Sequence, residues 1–378
     1  AMSWRVSNRF TIYHERGMYA LSPTVTRTPA GDLLVTFQRA PYSRHPHHEH
    51  PLFDVIACRS SDEGQTWSGP HLVTSDPRGG VMDRGVHALP DGSLFLHASC
   101  NELVPAEDTA HGNRWISRPG KPFWVRSTDD GHTWSDPVRF PPLPDAVWGA
   151  PAQHSGVSRS GLLAMPDGRL LLPSKATDKP DGTFPCFGML RVSHDMGQTW
   201  DYGGRIAEDA IAHFSEPTIH RTPRGRILVL FRCHPGALGQ DILRRQGFDQ
   251  PAAQDPQFVG RFLALVHSDD EGKTWSDWRP TMVHGSPGHM LGLKDGRIFL
   301  TVGTRWEGQR GYILRVLDPE GTYLDTAPEW IIAADGNSPD CGYPWSVQLN
   351  DGRVLVAFWH HYPDDHRGIA GAIVEEVG

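Results

Sequence analysis

The chain is predicted to be all-β, a six-bladed β-propeller built from four-stranded antiparallel blades. Two repeats and one composition predict it. An apolar strand, a turn ending in glycine and a second apolar strand recur six times, at Ser22–Arg39, Gly85–Ser99, Ser160–Lys175, Ser215–Arg232, Gly288–Arg305 and Tyr343–His360. An octet of frame Ser-x-Asp-x-Gly-x-Thr-Trp recurs four times, ending at Trp67, Trp134, Trp200 and Trp275. Repeats of this period mean that one supersecondary unit is stacked many times. Glycine (40) and proline (32) are plentiful, and no long stretch keeps a helical period, as expected for many short strands joined by turns.

In chain order, Arg9–Tyr13 is the first strand-like run. It is expected to supply the strand missing from the last unit and so close the ring, which removes two exposed sheet edges. Unit one then shows the full pattern. Its hairpin turns at Ala30-Gly31, its third strand is Asp54–Arg59, its octet is Ser60–Trp67, and Pro70–Thr74 forms the fourth strand. Asp-Gly between apolar runs is a strong hairpin signal, and it marks units two, three, five and six at Gly92, Gly168, Gly296 and Gly352. Runs such as Ile227–Phe231 and Val354–Phe358 are apolar at every position, which marks strands buried on both faces. Unit five keeps only a worn octet, Asp318–Tyr323, and unit six ends at a third strand, Gly368–Val377. The whole chain, 1–378, reads as one domain.

Within the octet, Asp accepts hydrogen bonds from backbone N–H groups just ahead, glycine supplies a positive φ, and Trp buries an apolar face. The octet is therefore a structural turn. Strand alternation places the octets and the glycine turns on one face. The inserts Pro41–Phe53, Asn101–Lys121 and Cys233–Gly260 and the starts of the first strands lie on the other, where a binding site is expected.

The formal charge is −8, with no basic stripe for nucleic acid and no basic amphipathic helix or long apolar run for a membrane. The five cysteines are dispersed without a paired spacing, so neither a structural metal site nor a cofactor is expected. They also suggest a reduced, cytoplasmic protein, or a secreted one if a leader has been removed. The oligomeric state has no signature.

The octet resembles the Asp-box of the sialidase (neuraminidase) superfamily, and the likeness covers nearly the whole chain. It implies a sialidase-like propeller, with a carbohydrate as the partner. It also implies roles for particular residues. Glu216 before Pro217 matches the family's glutamate, Arg232 its second arginine, and Tyr343 its nucleophilic tyrosine. Leu21-Ser22-Pro23 stands where the family has Arg-Ile-Pro, and Ser286–His289 shows no third arginine. The loop expected to carry the acid has no Asp before Asp54, so His48 or Glu49 is the expected acid, with His47 beside it. Asp83, Arg84 and Arg305 are candidates to hold the substrate from new places. His289, His360 and Trp345 also fall at site-face positions, and Trp345 could stack on a sugar.

A tyrosine whose proton passes to a glutamate can attack an anomeric carbon, the sialidase exception to two-carboxylate glycoside hydrolysis. The expectation is an exo-glycosidase acting on a non-standard or uronate-type sugar. A lyase cutting a uronate glycan, with Tyr343 and a histidine as acid and base, is a second reading. A glycan-binding propeller without turnover, where Tyr343 merely lines the channel, is a third.

Overall fold

The computed structural model describes residues 3–42, 50–105, 115–143, 158–177, 186–210, 212–235, 262–306, 308–337, 341–364 and 366–378. They form 24 strands in six four-stranded antiparallel sheets, with no helix among the described residues. Strand β1 (Ser3–Tyr13) stands apart at the start. Blade one is β2 (Met18–Arg27), β3 (Leu33–Pro41), β4 (Asp54–Ser60) and β5 (Ser68–Thr74). Blade two is β6 (Gly79–Ala88), β7 (Leu94–Pro105), β8 (Trp115–Ser127) and β9 (Val138–Arg139). Blade three is β10 (Leu163–Ala164), β11 (Leu170–Ala176), β12 (Phe187–Ser193) and β13 (Asp201–Ala207). Blade four is β14 (Ala212–Arg221), β15 (Ile227–Pro235), β16 (Phe262–Ser268) and β17 (Arg279–His284). Blade five is β18 (Gly288–Gly292), β19 (Ile298–Thr304), β20 (Gly311–Leu317) and β21 (Trp330–Ala333). Blade six is β22 (Trp345–Gln348), β23 (Val354–His361) and β24 (Arg367–Val377), completed by β1.

The N-terminal strand closes the ring as the sequence predicts. β1 pairs antiparallel with β24 from Ser3↔Val377 to Tyr13↔Ile369. The core is a ring of apolar clusters between neighbouring blades, and it explains the unbroken apolar strands. Along β15, Ile227, Val229 and Phe231 pack with blade three, whereas Leu228 and Leu230 pack with blade five. Along β23, Val354, Val356 and Phe358 face blade five, and Leu355, Ala357 and Trp359 face blade one. A strand flanked by a blade on each side must be apolar at every position, because its side chains alternate between the two.

Each octet is a self-bonded turn. In the first, Ser60 Oγ donates to Asp62 Oδ1 at 2.8 Å and accepts from Gly64 N at 2.8 Å. The Asp62 carboxylate accepts from Thr66 N at 2.8 Å and Thr66 Oγ at 2.6 Å. The second, third and fourth copies repeat this network. The residue before the glycine is also left-handed, with φ of 59° at Glu63, 63° at Asp130, 56° at Met196 and 63° at Glu271. That conformation was not anticipated from the frame. It leaves the side chain free to reach the previous blade. Asp130 accepts from Thr28 Oγ at 2.8 Å and Ala30 N at 2.9 Å, both in the blade-one turn, and Glu63 accepts from Asn350 N of blade six at 2.9 Å.

One insert departs from expectation. Asn101–Lys121 reads as a loop, but its described parts continue the hairpin outward, with Leu103↔Ser117 and Pro105↔Trp115 paired. The inserts between the second and third strands of blades one and four lie mainly outside the described residues.

Candidate functional site

The site forms where the first strands begin, around the propeller axis. Nine residues before the turn glycines Gly31, Gly92, Gly168, Gly225, Gly296 and Gly352 stand Ser22, Asp83, Arg159, Glu216, Pro287 and Tyr343. Seven residues after the same glycines stand Gln38, Ser99, Lys175, Arg232, Gly303 and Trp359. Hairpin geometry brings the two positions together in a blade. Glu216 and Arg232 form an ion pair at 2.7 Å, and the rings of Tyr343 and Trp359 lie 5.0 Å apart.

Three of the first-strand positions share a local device. Ser22, Glu216 and Tyr343 have left-handed φ values of 55°, 46° and 59°, and each precedes a proline. At Ser22-Pro23 and Glu216-Pro217 the strand register shifts, so the X-Pro pair bulges out of the ladder. Proline brings no N–H, so the bulge loses no donor there. A non-glycine residue held left-handed costs about 1–3 kcal/mol, a cost the surrounding structure must outweigh.

The bulges let residues meet across the axis. The Tyr343 hydroxyl of blade six donates to Glu216 Oε1 of blade four in a short hydrogen bond. The other carboxylate oxygen, Oε2, accepts from Arg232 Nη1 at 2.7 Å. Arg232 Nη1 also lies 3.4 Å from the Tyr343 hydroxyl, and its Nε donates to His234 Nε2 at 2.9 Å. Burial pushes the Glu216 pKa up, but the Arg232 charge and the hydrogen bonds from Tyr343 and Arg232 outweigh it and hold the carboxyl well below its ordinary range. Burial, then the Glu216 charge, pushes the Tyr343 phenol up, against the pull of Arg232 and Arg305. The pair therefore rests as a neutral phenol on an ionised carboxylate, aligned for the proton to pass from oxygen to oxygen.

Arg159, which the sequence reading missed, crosses the axis beneath this pair. Its Nη2 donates to the carbonyl of Pro23 in blade one and, at 3.0 Å, to the carbonyl of Tyr343 in blade six. Its guanidinium carbon lies 5.1 Å from the Tyr343 ring centroid and 4.8 Å from that of Trp345. It is buried, which lowers its pKa to about 10, so it remains a cation at neutral pH. Lys175, also missed, is half-buried in the second-strand position of the same blade, within electrostatic reach of Glu216, Arg84 and Arg232. Counting back and forward from the turn glycines would have found both.

The remaining candidates divide. Arg84 is part-buried beside the site, donating to Ser99 Oγ at 3.1 Å. Arg305 is buried behind Gly342, close enough to act on the Tyr343 phenol. Asp83 is a correction. It is buried in the floor, accepting from Thr36 Oγ at 2.6 Å and Gly85 N at 2.9 Å, and faces no open space for a sugar. Burial raises its pKa to about 6, with Thr36 and Arg159 opposing.

Trp345 and His289 are also corrections. Both are buried and stack on each other at 4.1 Å, with Arg159 against the indole, so the tryptophan packs the floor instead of offering a face to a sugar. His289 Nδ1 accepts from Ser346 N at 3.2 Å, a bond that ties blade five to blade six. His360 points to the other side of β23, against Tyr362 at 5.0 Å and near Asp335 and Arg9, because strand side chains alternate and Trp359 takes the site side. His47, His48 and Glu49 lie outside the described residues. Among the described residues no group of three His, Cys, Asp or Glu side chains is placed to hold a metal ion.

A family model described as a BNR repeat-like domain matches residues 53–356. A sialidase from Paraclostridium sordellii is 23% identical over 337 residues, covering 82% of this chain and 74% of that protein. A sialidase from Bacteroides fragilis is 29% identical over 191 residues, 47% of this chain, and the match spans only 34% of that protein's length. A crystal structure of a protein of unknown function from Dyadobacter fermentans superposes with a TM-score of 0.83 at 27% identity, covering 98% of this chain and 99% of that one.

Proposed function

The chain belongs to the BNR repeat-like family of sialidase-like propellers, and from that premise we propose that it is a glycoside hydrolase in which Tyr343 is the nucleophile and Glu216 its base. The observation that carries the reading is the Tyr343–Glu216 hydrogen bond, made across the axis by two residues held left-handed and clamped by Arg232. A phenol is a weak nucleophile until a base takes its proton. As the Tyr343 oxygen bonds to the anomeric carbon, its proton passes to Glu216 and the glycosidic bond breaks, the leaving oxygen taking a proton from an acid. Water, deprotonated in the reverse sense, then releases the sugar from the tyrosine. The acid expected at His48 or Glu49 is the remaining part of this proposal.

The hydrolase reading is preferred over a lyase because the phenol is bonded to a carboxylate, where a lyase would pair it with a histidine. The sialidase names of two relatives support a glycosidase in kind. We propose an acidic sugar other than an ordinary sialoside, because a cation stands at none of the first-strand positions of blades one, five and six. Tyr343→Phe and Glu216→Gln should each abolish release of reducing sugar while leaving the circular dichroism spectrum intact. Retained turnover in both variants overturns the assignment, and an ultraviolet-absorbing unsaturated product would instead indicate a lyase. A reduced, cytoplasmic setting is also proposed, supported by five buried cysteines, none of them in a disulfide. Mass spectrometry of the native protein under non-reducing conditions checks it, since a disulfide would contradict it.

A further inference from the structure

The cations of the site are gathered on one side. Going round the axis, the paired positions of blades one and five carry Ser22 with Gln38 and Pro287 with Gly303, none of them charged. Blade six carries Tyr343 with Trp359. Blade three carries two cations in those same positions, Arg159 and Lys175, where blade four has its Glu216–Arg232 ion pair. Arg84 adds a third from blade two.

These cations differ in their commitments. Arg159 is spent on the carbonyls of Pro23 and Tyr343, and Arg232 on Glu216. Lys175 is different. Among the described residues its ammonium has no hydrogen-bond or ion-pair partner, although it is half-buried and sits with Arg84 and Arg232 close enough for mutual repulsion. The Cys186 thiol and Glu216 are within its electrostatic reach, but neither bonds to it, and each Glu216 oxygen already accepts one bond, from Tyr343 and from Arg232. A desolvated ammonium without a bonded partner costs free energy that an anion would offset.

The reach of Tyr343 sets where such an anion would lie. Its hydroxyl crosses the axis to blade four, where Arg232 Nη1 lies 3.4 Å away. An acid on the anomeric carbon itself would fall beside that arginine, which is already committed to Glu216, while Arg305 is buried behind the Gly342 backbone. Lys175 stands on the neighbouring blade three and makes no hydrogen bond to this group among the described residues, so it is placed to meet a ring carbon beyond the anomeric one.

We propose that Lys175, with Arg84 beside it, is the subsite for an anionic group carried on a ring carbon remote from the anomeric centre. The substrate class is thus a uronate or a sulfated sugar, as opposed to a sugar acid bearing its carboxylate on the anomeric carbon. This rests on Tyr343 marking the anomeric end, but it is measured without turnover. Isothermal titration of the full chain at pH 7 uses D-glucuronate, D-galacturonate, galactose 6-sulfate, N-acetylneuraminate and D-galactose.

At least one of the first three is expected to bind about tenfold or more tightly than galactose. Lys175→Met should weaken that ligand roughly ten- to hundredfold, the range for loss of a charged hydrogen bond. Lys175→Arg should retain most of the affinity, and both variants should melt near the wild-type temperature. Preference between the uronates and the sulfate ester identifies the source of the anion. No binding by any of the three, tighter binding of N-acetylneuraminate or galactose, or indifference to Lys175→Met overturns the proposal. If Tyr343→Phe keeps its turnover while Lys175→Met loses binding, the nucleophile assignment fails and the subsite stands.

Discussion

Replacing Arg159 by methionine tests whether the floor of the site holds the reacting pair in place. The change keeps a flexible side chain of moderate length and removes the guanidinium. Two buried carbonyls, of Pro23 and Tyr343, then lose their donor. Each unsatisfied group costs about 1–3 kcal/mol. The cation's contacts with the Tyr343 and Trp345 rings contribute about 1 kcal/mol more. Against this, the variant no longer desolvates a charge, a relief of about 3 kcal/mol for a pKa lowered from 12.5 to about 10. The net loss is about 2 kcal/mol. With an unfolding entropy near 2 cal/mol/K per residue, a chain of this length should melt about 2–3 °C lower. The loss falls on the backbone of Tyr343 itself, so kcat should drop more than tenfold with KM little changed. Differential scanning calorimetry and steady-state kinetics on the same preparation read both effects. Arg159→Lys should recover part of the stability, since a lysine can reach one carbonyl but cannot bridge two. A variant melting within 1 °C of wild type with unaltered kcat would refute the role of Arg159 in positioning the tyrosine.

Arg232→Gln leaves Glu216 buried without its partner, so its pKa rises. The acid limb of the pH–rate profile should then move to higher pH, and an unmoved limb would show that Glu216 does not set it. Asp83 has a folded pKa raised to about 6 by burial, so its contribution to stability is fully present below pH 4 and lost as pH rises through 6. Asp83→Asn removes that term, and its urea midpoint should gain on the wild type between pH 4 and 7; parallel pH curves would contradict the raised pKa. Trp200, the fully buried tryptophan of the third octet, packs 5.4 Å from Phe95 and 5.8 Å from Phe140. Trp200→Ala should cost about 3–5 kcal/mol by urea unfolding yet leave kcat unchanged, because the octet lies on the face away from the site.

The fold was legible because each blade is specified locally and repeatedly. A turn glycine, an octet and apolar runs buried on both sides recur with enough regularity to count the blades and orient them. The ring closure was legible for a related reason: six units with one strand missing and one spare strand at the other end admit a simple pairing. The hairpin extension from Asn101 was not, since Pro105, Pro119 and Gly120 read as loop residues, and the short runs between them show no period of two. Glu216, Arg232 and Tyr343 were found through resemblance to a family. Arg159 escaped because blade three keeps only a two-residue inner strand, Leu163–Ala164, and has no proline to mark the bulge. Trp345 and His289 were placed on the correct strands but given the wrong exposure. Whether a side chain at the axis meets solvent depends on what the opposite blade sends across, here Arg159.

That dependence explains how a repeated backbone makes one site instead of six. The first-strand position is equivalent in all six blades, yet it carries serine, aspartate, arginine, glutamate, proline and tyrosine in turn. Each matters through a partner on a different blade: Tyr343 through Glu216, and Arg159 through Pro23 and Tyr343. Around the axis Arg84, Arg159, Lys175, Arg232 and Arg305 outnumber Asp83 and Glu216, although the chain as a whole carries a net charge of −8. A local excess of cations against the sign of the whole protein would repel itself without a function to retain it. Since Arg84, Arg159 and Arg232 are already bound to the chain, the unspent part of that excess lies with Lys175. The charge asymmetry therefore points to the side of blade three as the place where an acidic ligand completes the site.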